Sequence, residues 1–107
     1  MKPTVWVTGP TFHDISKAKR FGEIKYISNE GLGKLDVGGM MRACEEVLGK
    51  ESEPGDFLLI SGMTVFCVCA ALAMSRLHDQ VNMLIHVNSA TTGGDYRQRT
   101  LFLGEQI

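Results

Sequence analysis

The sequence predicts an α/β fold: a small single-layer mixed sheet of about five strands with two main helices, containing one right-handed strand-helix-strand unit and a C-terminal hairpin. Three observations predict it. Gly55 to Val87, GDFLLISGMTVFCVCAALAMSRLHDQVNMLIHV, holds a compact apolar strand, a tight turn, an apolar helix and a second strand in one run. Shorter β-branched or alternating runs precede it, and the turn TTGG at Thr91 to Gly94 leads into a last strand. The whole chain, 1–107, reads as one domain.

Thr4 to Thr8, TVWVT, is β-branched and aromatic and stops at Gly9-Pro10, the signature of a first strand and turn. The segment TFHDISKAKRFG has weak periodicity and fits either a short helix or an ordered loop. Glu23 to Ser28 alternates polar and apolar as a half-buried strand does. Asp36 is a good N-cap for a helix whose Val37, Met40, Met41, Cys44, Val47 and Leu48 fall on one face, with Gly49 as its expected C-cap. Phe57 to Ile60 is apolar at every position, as a central strand covered on both faces requires. Met63 to Leu77 is apolar nearly all round, so it packs in a core or against a partner. Asn82 to Val87 forms the next strand, parallel to the one before it through a right-handed crossover. Tyr96 to Leu103 is its hairpin partner.

Composition narrows the function classes. The 11 basic and 12 acidic residues give a formal net charge of -1, so no global field draws the chain to duplex nucleic acid or an anionic membrane. The three cysteines, Cys44, Cys67 and Cys69, sit in apolar helical pattern. Cys67 and Cys69 point about 200° apart on a helix and make a poor bridge, so reduced buried thiols and a cytoplasmic location are expected. The N-terminus has no long apolar run of the secretory type. Phe57 to Met74 is 18 uncharged residues, at the lower limit for a bilayer span, but Ser61, Gly62 and Thr64 interrupt it where a strand hands over to a helix. No membrane association is expected, whereas a chain of 107 residues gains burial by forming a homo-oligomer.

Ligands of open α/β sheets sit at the carboxyl ends of the strands, and three segments meet that description: Thr8-Gly9-Pro10, Ser61-Gly62-Met63-Thr64, and Val87-Asn88-Ser89. The second is the strongest. Gly62 permits close backbone approach, amides at the helix start attract an anion, and Ser61 and Thr64 add hydroxyls. The plainer role for Ser61 or Thr64 is to cap the helix. Arg97 and Arg99 alternate on the last strand and share a face, fit either to grip phosphate or to keep an edge strand from aggregating. The candidate ligand-binding residues are therefore Thr8, Gly9, Ser61, Gly62, Met63, Thr64, Asn88, Arg97 and Arg99.

Lys17, Lys19, Arg20 and Lys25 form a further basic cluster, either solvated or part of a loop closing on a polyanion. His13, His78 and His86 lack metal-ligand spacing, so no metal is expected. His78 suits a helix C-terminus, and His86, within an apolar strand, suits the core. S-G-M-T is not a Walker A loop, nothing matches G-x-G-x-x-G, and no nucleophile-base pair stands out; no cofactor and no catalytic residue are assigned.

The second half, from D-F-L-L-I-S-G at 56–62 through S-R-L-H and N-M-L-I-H-V to the hairpin, resembles the small ring-nuclease proteins associated with type III CRISPR systems. That resemblance implies a homo-oligomer binding a cyclic oligonucleotide messenger, with Ser61 and Gly62 in the ligand-contacting turn and His78 matching a histidine at a helix end. The acidic residue those proteins carry after the next strand is replaced by Val87 and Asn88, which favours binding without turnover, as in a phage protein that sequesters a defence signal. The expectation is thus a nucleotide-binding protein. Two alternatives stand beside it: a metal-assisted phosphodiesterase on the same ligand, with His13, His78 or His86 as acid or base, and a protein-interaction module using the apolar helix.

Overall fold

A computed structural model describes residues 2–11, 13–29, 32–91 and 93–103. Its elements in chain order are β1 (Thr4–Val7), a 3-10 segment (Ser16–Arg20), β2 (Glu23–Tyr26), α1 (Val37–Glu51), β3 (Phe57–Leu59), α2 (Thr64–His78), β4 (Gln80–Val87) and β5 (Asp95–Phe102). One sheet takes all five strands in the order β2-β1-β3-β4-β5. The first four run parallel, and β5 returns antiparallel to β4 with Gln80 opposite Phe102 and Val87 opposite Asp95. The expected sheet, helices and hairpin are all present.

The strand order explains which face each connection covers. From β1 the chain steps outward to β2, then reverses across β1 to β3 and on to β4. With crossovers of one hand, a reversal of direction moves the connecting segment to the opposite face. Accordingly α1 and α2 pack together on one face over Trp6, Leu58 and Val81, whereas Ile15 and Ala18, of the 3-10 region, cover Val5, Val7, Leu59, Leu84 and Tyr96 on the other. Leu58 and Leu59 are both fully buried, one toward each face, as an all-apolar central strand requires. Each contributes about 2 kcal/mol of burial.

The uncharged stretch Phe57 to Met74 is divided between β3 and α2, and among the described residues no helix is long and apolar enough to cross a membrane. Asp36 caps α1 as expected, accepting from the Gly39 amide at 2.9 Å. Gly49 does not end that helix. It continues to Glu51, where Ser52 closes it: the Ser52 amide and hydroxyl both donate to the Leu48 carbonyl, at 3.0 and 2.7 Å, so no left-handed residue is needed. α2 ends on Asp79 in the left-handed conformation, φ 59°.

The amino-terminal edge of the parallel strands is closed by a buried carboxylate. Asp56, just before β3, accepts from the Thr4 amide (2.9 Å), the Trp6 indole N–H (3.0 Å) and the Glu53 amide (2.9 Å). The Asn82 side-chain amide donates to the carbonyls of Asp56 and Pro54, each at 3.2 Å, and its oxygen accepts from Thr100 at 2.8 Å. One short network thereby ties β1, β3, β4 and β5 together.

Candidate functional site

At the opposite, carboxyl-terminal edge the chain reverses direction between β1 and β3, which parts the connections leaving those strands and opens a crevice. A cleft of about 380 Å³ lies there, lined by His13, Asp14, Ile60, Ser61, Gly62, His86 and Tyr96. That volume is within the range of small-molecule sites.

The β3-α2 turn forms one wall. Ile60 is pinned by its amide to the Leu84 carbonyl at 3.0 Å, after which Ser61 and Gly62 leave the sheet. Gly62 has φ +84°, a conformation that costs other residues strain. Neither Ser61 nor Thr64 caps the helix. The residue at the cap position is Met63, in extended conformation and with no side-chain cap hydrogen bond, so the first amides of α2 have no capping side chain. Met63 is committed to the core, packing against the helix-side cluster. Beneath the turn, Thr8 at the end of β1 is buried, and the Cys67 thiol, which also contacts the Thr8 side chain, donates to the Ser61 carbonyl at 3.3 Å. Burial pushes the Cys67 thiol up, so it is an inert donor here.

The other wall comes from the 3-10 region and the β4-β5 hairpin. Asp14 accepts from the Ser16 amide at 2.9 Å, and that bond holds its carboxyl below its ordinary value. Tyr96 is buried, which raises its phenol, and the neighbouring Asp14 charge adds to the effect. The His86 ring meets Tyr96 edge-on, with centroids 5.4 Å apart and planes at 70°. This wall is fastened from behind: Lys17 donates to the Gly94 carbonyl at 2.6 Å, while Arg20 donates to the Tyr96 carbonyl at 3.1 Å and pairs with Asp95 at 2.9 Å. These two cations of the basic cluster hold the hairpin in place, and Lys25 faces Glu51 at 3.8 Å.

The structure gathers most of the sequence-predicted residues at this edge. Thr8 and Gly9 end β1, Ser61 to Thr64 form the turn, and Asn88 follows β4 as an exposed residue. Arg97 and Arg99 are elsewhere. They stand opposite Ile85 and Met83 on β4, whereas Tyr96 stands opposite His86; alternation along β5 therefore puts both arginines on the helix-side face, away from the cleft. Arg99 donates to the Gln98 carbonyl at 2.7 Å.

His86 was expected in the core and is instead exposed, because it is the last but one residue of β4 and the sheet's cover ends before it. His78 lies at the far end of α2 from Ser61, about 21 Å away along a 15-residue helix. Its Nε2 meets the Ser52 hydroxyl at 2.8 Å, and since that hydroxyl donates to Leu48, His78 is the donor. Ser61 and His78 thus do not share a site in one chain. Of the cleft residues, sequence reasoning named His13 and His86 only as alternative acid or base candidates, and it missed Asp14 and Tyr96. Two signals pointed to this group: a β1-β2 connection must leave from the carboxyl edge in a parallel pair, and His86 is close to its strand's end.

The family model of phage Pam3 gp32-like proteins matches residues 5–98, nearly all of the described structure. The chain belongs to the phage Pam3 gp32-like family. The family match ties the chain to phage proteins and covers every strand and helix except the ends of β1 and β5. No curated protein and no solved structure matches the chain, and nothing in these comparisons connects it to the ring nucleases.

Proposed function

We propose that this phage-family protein binds a small nucleotide in the cleft lined by the β1-β2 connection, the β3-α2 turn and the β4-β5 hairpin and so removes a signalling nucleotide, a cyclic one in the leading version, from solution during phage infection. The observation that supports this reading is the position of the cleft at the point where the strand order reverses, beside a helix start with no capping side chain. Such positions suit phosphate, because unpaired amides and the helix dipole both favour negative charge. Ser61 offers a hydroxyl in the cleft lining, and Gly62 lets the backbone approach the ligand. Self-association is part of the same proposal: Val65, Val68 and Leu72 leave an exposed apolar stripe on α2.

Calorimetry with a panel of linear and cyclic mono- and dinucleotides tests the reading. The expected result is saturable binding of at least one member, with heats lost when a bulky side chain is placed in the cleft by Ser61→Trp. Absence of binding across the panel removes the proposal.

A further inference from the structure

We infer that the outer edge of β5 docks an extended acidic segment of a partner protein, which adds to the sheet as a further strand with its carboxylates opposite Arg97 and Arg99. The cleft plays no part in this docking, because both arginines lie on the helix-side face of the sheet and Tyr96 on the other. β5 ends the strand order, so one side of it meets no strand. Which of its backbone groups face that side follows from β4. The Leu84 carbonyl accepts from the Ile60 amide, on the β3 side, so the backbone polar groups of Leu84 turn away from β5. Gln98, opposite Leu84, therefore turns its own N–H and C=O outward, and alternation gives Tyr96 and Thr100 the same direction. Two side chains bear that direction out: the Tyr96 carbonyl accepts from Arg20 at 3.1 Å, and the Gln98 carbonyl accepts from Arg99 at 2.7 Å. The Tyr96 amide is also taken, donating to the Asp95 carboxylate at 2.8 Å. Among the described residues no hydrogen bond engages the Gln98 amide or either backbone group of Thr100. An open stretch of ladder thus begins at Gln98.

Charge decides what fits it. Among the described residues Arg20, Lys25, Lys50 and Arg76 each meet a carboxylate, whereas Arg97 and Arg99 meet none. An incoming antiparallel strand forms hydrogen-bonded pairs at Gln98 and Thr100 and non-hydrogen-bonded pairs at Arg97, Arg99 and Leu101, where facing side chains come closest. Carboxylates opposite the two arginines and an apolar side chain opposite the exposed Leu101 complete the match. Arg99 also makes the edge selective. Its guanidinium covers the Gln98 carbonyl, so a neutral strand must displace it without replacing its hydrogen bond, whereas an acidic strand draws it to a carboxylate. A second copy of β5 is the wrong occupant: antiparallel pairing centred on Gln98 sets Arg97 against Arg99 of the second copy, and pairing centred on Arg99 sets that residue against itself. The registers that pair most of the strand therefore join like charges.

The test titrates isotope-labelled protein with the end-blocked peptide VLTETETT, whose glutamates fall opposite Arg99 and Arg97 in the antiparallel register, beside its lysine counterpart VLTKTKTT and an oligouridylate. The expected result is saturable movement of the Gln98 and Thr100 amide signals, slowed hydrogen exchange at both, and binding of the lysine peptide about tenfold weaker. The double variant Arg97→Glu, Arg99→Glu should reverse that preference. N-methylation of the peptide's third and fifth residues, whose amides face Thr100 and Gln98, should abolish binding. Absence of movement up to about 1 mM peptide, equal response to the two peptides, or binding that survives N-methylation overturns the inference. A stronger response to oligouridylate gives the arginines to nucleic acid and overturns it as well. So does protection of Gln98 and Thr100 that grows with protein concentration alone, which puts a second copy on the edge.

Discussion

The two edges of the parallel sheet handle polar groups in opposite ways. At the amino-terminal edge the Asp56 carboxylate accepts three N–H groups, Asn82 bridges two carbonyls and a hydroxyl, and His78 donates to Ser52. At the carboxyl-terminal edge α2 begins without a side-chain cap, Gly62 occupies a left-handed conformation, and His13 and His86 face a cleft. Polar side chains satisfied by the protein hold a fold together. Those left available can serve a ligand, and the difference separates structural from functional polarity within a single sheet.

The largest effect expected from breaking this contrast is at Asp56. Asp56→Ala strands the Thr4 amide, the Trp6 indole and the Glu53 amide, of which the indole is fully enclosed. Leaving buried donors unsatisfied should cost about 4 kcal/mol in all, read as a fall in the urea midpoint with unchanged slope. A loss below about 1 kcal/mol would mean that the amino edge is not the rigid one.

How far the two edges were legible in the sequence follows from the same physics. Apolar runs and turn residues sufficed for all five strands and both helices, because period and length belong to the local chain. The turn at Ser61 to Thr64 was legible for the same reason. The Asp56 hub was not, since its partners Thr4 and Trp6 lie some fifty residues away and only the sheet brings them near. Arg97 and Arg99 were rightly given a common face, but which face depends on hairpin register, and register places Tyr96 rather than the arginines beside His86. His86 was mistaken for core because its neighbours are apolar. Depth along the strand, not composition, decides its exposure.

Glycine at each edge sharpens the comparison. Gly62→Ala meets nothing closer than the Thr8 hydroxyl at 3.8 Å, so its penalty comes only from φ +84°. About 1 kcal/mol of stability should be lost, and the turn it reshapes should bind nucleotide about tenfold more weakly, on the scale of 1.4 kcal/mol. Gly55, at the amino edge, has open space around a would-be Cβ and no positive φ. Gly55→Ala should leave both stability and affinity within error, as thermal melts and titrations on the two variants would show.

The smallest effect is the most discriminating, because it compares like with like. His78→Ala removes the donor to Ser52, so it should cost about 1 kcal/mol and leave nucleotide binding intact. His86→Ala removes an imidazole that is exposed and engages no hydrogen bond among the described residues, so its stability should stay within about 0.5 kcal/mol of the parent. Paired denaturant titrations of the two variants measure the difference directly. A larger loss for His86→Ala than for His78→Ala would show that the edge contact with Tyr96 is itself a support of the hairpin, and the division between a structural edge and a working edge would no longer hold at β4.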